Sequence, residues 1–237
     1  MRLALLILVV ALPALVACGG DDPQRSPEPT VAAAPPPPAP TATPSATREP
    51  AEPRRREPRP RSRAAGAPWS GRLVHGRPLP ASGAGYVTWD PIRKEIGNRG
   101  WRRWGSGRLL RTVQGVLAAY QRRHPNATPV LVGDLSRPRG GDFGPRYGGL
   151  GHVSHQNGLD ADVYYPRRDG RRLAPRNPGQ VDRRAAQELV DAFVRAGAER
   201  VFVGPSLGLR GPRRVVSPLI HHDDHLHLRL PGAHERR

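Results

Sequence analysis

Between Arg108 and Arg123 the apolar residues are Leu109, Leu110, Val113, Val116, Leu117 and Tyr120, and their spacing gathers them on one face of an α-helix. Val130-Leu131-Val132, opened by Pro129 and closed by Gly133-Asp134, predicts a short buried strand. A second helix is predicted from Asp182, a candidate N-cap, through Leu189, Val190, Phe193 and Val194 to a stop at Gly197. Arg200 to Val203 reads as a further strand. Two other segments alternate with period two. Asp160, Asp162 and Tyr164 share one face, opposite Ala161, Val163 and Tyr165; His225, His227 and Arg229 share one face, opposite Leu226, Leu228 and Leu230. Each predicts a strand with one side for a core and one side for chemistry. Helices interspersed irregularly with short strands predict a small α+β domain rather than a doubly wound sheet.

The flanks read differently. Leu3 to Ala17 is apolar but only about 22 Å long as a helix, short of the ~30 Å a membrane span requires, and suits a signal peptide. Leu15-Val16-Ala17-Cys18 resembles the lipobox of bacterial lipoproteins, which implies cleavage after residue 17 and acylation of Cys18 as a stable membrane anchor. Residues 18–66 are rich in Pro, Ala and Arg with almost no larger apolar residues, a composition that predicts a disordered tether. The folded domain is then expected over 67–237, working outside the cytoplasm in the periplasm or cell-wall space. Arg137 to Gly151, rich in Gly, Pro and Arg, predicts a long surface loop.

Cys18 is the only cysteine among 237 residues, which excludes a disulfide framework and a thiolate zinc site. The excess of 38 basic over 20 acidic residues favours an anionic partner such as wall polymer, anionic lipid or nucleic acid. An export signal and 5% aromatic residues argue against nucleic acid. Six of the nine histidines lie in two segments, Gly151–Tyr165 and His221–Leu230. If the two alternating strands are neighbours, a carboxylate and an imidazole converge on one ion, with His155 supplied from the turn before the first. Two imidazoles and a carboxylate suit Zn²⁺ with a fourth position open. No His-Glu-x-x-His is present, so a helix-borne site of that kind is excluded.

The run Ser154-His155-Gln156-Asn157-Gly158-Leu159-Asp160-Ala161-Asp162, with its Gly151-His152 lead, resembles a segment of the penicillin-insensitive murein endopeptidases. His222-x-x-His225-x-His227 followed by Leu228-Arg229-Leu230 is similar to the same family's C-terminal block. Weaker likeness runs from about Leu73 to Pro231. The resemblance implies the fold shared with lysostaphin-type peptidases, D-Ala-D-Ala dipeptidases and hedgehog domains, a small antiparallel sheet carrying zinc. It further implies that His155, Asp162 and His227 bind Zn²⁺, that His152 stands near the metal, that His222 and His225 serve catalysis, and that Asp160 supports a ligand from behind. The implied reaction is hydrolysis of peptidoglycan cross-bridges, D-Ala to meso-diaminopimelate, by metal-activated water. No Glu lies near the second block, so His222 or His225 is the candidate general base, and spacing leaves open which. Asp223 and Asp224 read as a solvated turn. An inactive peptidoglycan-binding module and a D,D-carboxypeptidase or dipeptidase of the same fold are the competing readings.

Overall fold

In the computed structural model of the chain, residues 60–144 and 152–232 are described. The predicted signal peptide, Cys18 and the tether up to residue 59 lie outside them, as do 145–151 of the predicted loop. In chain order the elements are β1 (Arg63–Ala67), β2 (Ser70–Val74), β3 (Arg77–Pro78), β4 (Ser82–Gly83), β5 (Tyr86–Asp90), β6 (Glu95–Ile96), β7 (Trp104–Gly105), α1 (Gly107–Arg123), β8 (Val130–Val132), β9 (Asp160–Tyr164), α2 (Arg183–Arg195), β10 (Arg200–Val203), β11 (Val216–Pro218) and β12 (His225–Arg229). Among the described residues no helix is long and apolar enough to cross a membrane.

The helices form where local chemistry places their ends. Ser106 Oγ accepts from the Leu109 amide at 3.2 Å and starts α1; Asp182 Oδ1 accepts from the Ala185 amide at 3.0 Å and starts α2. Each cap satisfies an otherwise orphaned N–H. Beyond α2 the chain turns through Gly197 at φ 85°, a conformation that favours glycine.

The main sheet runs β11-β10-β12-β9-β8-β5-β4, with β6 pairing β5. The class is α+β, but the expectation of a small antiparallel sheet is corrected. The sheet has eight strands among the described residues and is mixed, because β5/β8 and β10/β11 pair in parallel. Parallel neighbours require a crossover, and α1 supplies it between β5 and β8. Both helices pack on one face. Leu109, Val113, Leu117, Leu189, Val190 and Phe193 meet Ala161, Val163, Leu226 and Leu228, all of them fully buried. Each such leucine contributes about 1.5–3 kcal/mol by leaving water. This core fixes one face of the sheet; the other face carries polar groups beside a smaller buried cluster of Trp89, Leu131 and Tyr164.

The fold also reaches into the stretch assigned to the tether. β1 pairs with β2 along its whole length, Arg63 opposite Val74 to Ala67 opposite Ser70. Ala64 packs against the core, and the Gly107 amide donates to Ser62 Oγ at 2.6 Å. Arg-Ala-Ala-Gly-Ala carries no strand signal of its own; its partner makes it a strand.

Candidate metal centre

β9 and β12 are antiparallel neighbours in a register that sets His227 opposite Asp162, His225 opposite Tyr164 and Arg229 opposite Asp160. Alternation sends Ala161, Val163, Leu226 and Leu228 into the core and the other set to the opposite face. His155 arrives from the turn before β9, with its own backbone in the left-handed region at φ 69°, rare for a residue with a Cβ. The turn is held at both ends. Asp160 Oδ2 accepts from the His155 amide at 3.3 Å, and Asn157 Oδ1 accepts from the Leu159 amide at 3.3 Å while its Nδ2 donates to Gly66 O at 3.1 Å. Gly158 sits between them at φ +77°, where a Cβ would lie 2.6 Å from Leu73 Cδ1. No other residue fits that turn without displacing Leu73.

Three atoms then form a triangle with equal sides. His155 Nε2 lies 3.3 Å from His227 Nδ1, His155 Nε2 lies 3.3 Å from Asp162 Oδ1, and His227 Nδ1 lies 3.3 Å from Asp162 Oδ1. Asp162 Oδ1 is buried and takes no hydrogen bond of good geometry, an arrangement that is costly unless a cation completes it. The far side of each ring fixes its tautomer. His155 Nδ1–H donates to Leu135 O at 2.7 Å, and His227 Nε2–H donates to Asp160 Oδ1 at 2.8 Å, so both inward nitrogens can present lone pairs. Asp160 is steadied by Arg229 Nε at 2.7 Å.

Burial opposes charge throughout this site, and the partners decide each outcome. Burial holds the His155 imidazole below its ordinary value despite Asp162. For His227, burial is outweighed by the neighbouring Asp160 and Asp162 carboxylates, and its pKa is pushed up to about 9. Asp162 is held well below the usual carboxylate range, because the surrounding imidazoles overcome its burial. It remains an anion among basic groups.

The remaining predicted residues stand around this triangle. His152 groups with His155 and Asp162, with potential ligand atoms within 4.8 Å of one another. Its Nε2, however, is 2.8 Å from Asp134 Oδ2 and 3.9 Å from Asp162 Oδ2. The hydrogen bond to Asp134 sets its orientation. His225 Nε2 is 3.7 Å from Asp162 Oδ1, and its Nδ1 is 2.6 Å from Asp224 Oδ1. Burial lowers the His225 pKa less than Asp162 and Asp224 raise it, so it stands above its ordinary value. His222, whose ring is 4.7 Å from that of His225, donates Nδ1–H to Ile220 O at 2.8 Å; burial keeps its pKa low.

Sequence reasoning passed over three participants. Asp223-Asp224 reads as a solvated turn from sequence, yet Asp224 holds His225 at 2.6 Å, while Asp223 accepts from Ser206 Oγ at 2.9 Å. Asp134 is buried and receives Asn98 Nδ2 at 2.9 Å and Arg102 Nε at 2.7 Å, with a second, shorter contact from Arg102 Nη2 to Oδ2. Its place directly after the buried strand and Gly133 was the available signal. Arg102, wholly buried, gave none, since nothing local separates it from the other arginines.

Residues 64–203 match the family profile described as penicillin-insensitive murein endopeptidase, so the match includes β9 and ends before β12. The chain is 27% identical over 187 residues to the penicillin-insensitive murein endopeptidase of Yersinia enterocolitica, covering 68% of this chain and 63% of that one. It is 28% identical over 188 residues to that of Haemophilus influenzae, covering 68% and 60%. The aligned part thus spans less than two thirds of these relatives.

Proposed function

The chain belongs to the penicillin-insensitive murein endopeptidase family, and from that premise we propose that it is a zinc-dependent peptidase that hydrolyses peptidoglycan cross-bridges of the D-Ala to meso-diaminopimelate type. The observation that carries the reading is the buried, unbonded Asp162 Oδ1 with two imidazole nitrogens at 3.3 Å. A tetrahedron with Zn–ligand bonds of about 2.0–2.1 Å has edges of about 3.3–3.4 Å. The spacing of His155, Asp162 and His227 suits such a set and leaves one corner for a reactant. When bound, zinc supplies Lewis acidity, polarising a scissile carbonyl and acidifying water.

The chain's own residues handle the protons. His222 gives its Nδ1–H to Ile220 O, which leaves Nε2 free to take a proton from the attacking water. His225, its Nδ1 held by the Asp224 carboxylate, keeps Nε2–H to donate to the carbonyl oxygen as negative charge develops there. After the C–N bond breaks, the His222 proton passes to the leaving amine. His152, oriented by Asp134, borders the site as a positioning residue. Attack by water needs no serine nucleophile, consistent with the family's description as insensitive to penicillin.

The address belongs to the same proposal: acylated Cys18 anchors the protein to a bacterial membrane, with the domain in the periplasm or wall space. The deciding experiment is mass analysis of products from defined cross-linked muropeptides. Zinc-loaded protein releases the two monomeric stems; chelated protein and Asp162→Asn release none. Loss of a terminal D-Ala alone would identify a carboxypeptidase instead, and intact substrate under every condition would leave only a binding module.

A further inference from the structure

Beside the metal centre lies a cavity of about 970 Å³, near the upper end of the range that binding clefts occupy. One end is formed by Tyr164, whose ring is 5.4 Å from that of His225, and by Asp224, which holds His225. Trp89 forms part of its wall, edge-on to Tyr164 at 6.3 Å and 65°. Four cationic residues, Lys94, Arg167, Arg171 and Arg176, also line it, among neutral residues and Asp223.

These cations differ in what already occupies them. Arg167 donates to Asp169 at 2.8 Å and to Gln180 at 2.6 Å, so it is spent on closing its own loop. The charged ends of Lys94, Arg171 and Arg176 are exposed and make no ion pair at 4 Å or less among the described residues. The two cavity carboxylates are held elsewhere, Asp223 accepting from Ser206 and Asp224 lying against His225, and neither pairs directly with Lys94, Arg171 or Arg176 among the described residues. The backbone that carries the cations is itself fastened. Arg176 N donates to Gln180 Oε1 at 2.8 Å, Arg171 N to Asp169 Oδ1 at 3.1 Å, and Arg168 N to Gln180 O at 3.0 Å. Lys94 ends a turn held by Asp90, which accepts from the Ile92 and Arg93 amides.

We infer that this cavity is a carboxylate-recognising subsite, in which Lys94, Arg171 and Arg176 take the free carboxylates of a peptide strand while Trp89 and Tyr164 contact its apolar atoms. The inference rests on the reading of the neighbouring site as a peptidase. A guanidinium presents a fork that matches a carboxylate, and anchoring on a fastened backbone lowers the ordering cost of binding. A chain carrying several free carboxylates satisfies all three cations; a neutral peptide satisfies none. The subsite therefore selects anionic stem peptides over those in which the carboxylates are amidated.

The test uses the full chain loaded with zinc and two uncross-linked stem peptides, one with free carboxylates and one with every carboxylate converted to carboxamide. Titration calorimetry on the wild type should show about tenfold tighter binding of the acid form at low salt, from three exposed charge contacts of modest strength each. The Lys94→Gln/Arg171→Gln/Arg176→Gln variant should bind both peptides alike, with an unchanged melting temperature, because all three side chains are exposed. Equal binding of the two peptides by wild type, or a preference that survives the triple substitution, would overturn the inference. So would inorganic polyphosphate competing as strongly as the acid peptide, which would mark a generic anion surface. Digestion of cross-linked muropeptides by the same wild-type sample separates the two ideas: a preserved preference without hydrolysis sinks only the peptidase reading, and hydrolysis without preference sinks only the subsite.

Discussion

Asp160 never faces the triangle, yet two of its members lean on it: it accepts from His227 Nε2 at 2.8 Å and from the His155 amide at 3.3 Å. Such partners fix the ligand's tautomer, and their loss costs about 10–100-fold in metal affinity. Asp160→Asn is therefore expected to weaken zinc binding by that factor in competition with a chromogenic chelator, with the product pattern unchanged at saturating zinc. His227 offers a second check. In the metal-free protein its pKa is about 9, so at pH 7.5 it holds a proton that a metal must displace. Zinc uptake should release about one proton through His227 at pH 7.5, about half a proton at pH 9 and close to none about two units higher, when calorimetry is repeated in buffers of different ionisation enthalpy. The same proton stabilises the metal-free fold fully below the unfolded value of 6.5. That contribution is lost as pH rises through about 9, so its effect on the melting temperature should be absent once zinc is bound.

At the scale of elements, β9 and β12 were legible because one face of each is apolar and the other is not, and a strand with such faces has only one register that keeps both. Both helices were legible for the same reason at a different period, α2 from Asp182 onward. The hidden features depend on partners distant in sequence: β1 exists through β2, and the parallel pair β5/β8 exists because α1 crosses between them. Packing of β12 against the helices is what brings His227 to Asp162, so core and site share one strand. Leu228, fully buried, is expected to cost about 2–5 kcal/mol in urea unfolding when replaced by alanine. Asp182→Ala, which removes only the cap of α2, should cost about 1 kcal/mol and leave metal affinity unchanged. An equal loss of metal binding in both variants would mean that the site depends on global stability and not on the strand.

Across the whole molecule one buried ion pair ties together segments that no local pattern connects. Arg102, before α1, grips Asp134, after β8; Asp134 receives Asn98 and orients His152, and its backbone carbonyl accepts from the Asp162 amide at 2.9 Å. Burial alone would raise the Asp134 pKa, but Arg102 and His152 outweigh it and hold the carboxyl below its ordinary 3.8. A depressed acid stabilises the fold above its unfolded value and loses that contribution as pH falls through the lower, folded one. Asp134→Asn leaves the Arg102 charge buried without its counter-ion, which should cost about 3–5 kcal/mol at pH 7. Below pH 3.8 wild type surrenders the same interaction to protonation while the variant has none to lose, so the two stabilities should converge in acid. Urea unfolding at pH 7 and again between pH 2.5 and 4 measures both limbs. A constant gap over the whole range would show that the carboxylate's charge is not what holds Arg102. Replacing both partners, Arg102→Met with Asp134→Leu, should recover much of the lost stability while removing the acceptor for His152, which separates the pair's part in the fold from its part in placing that histidine.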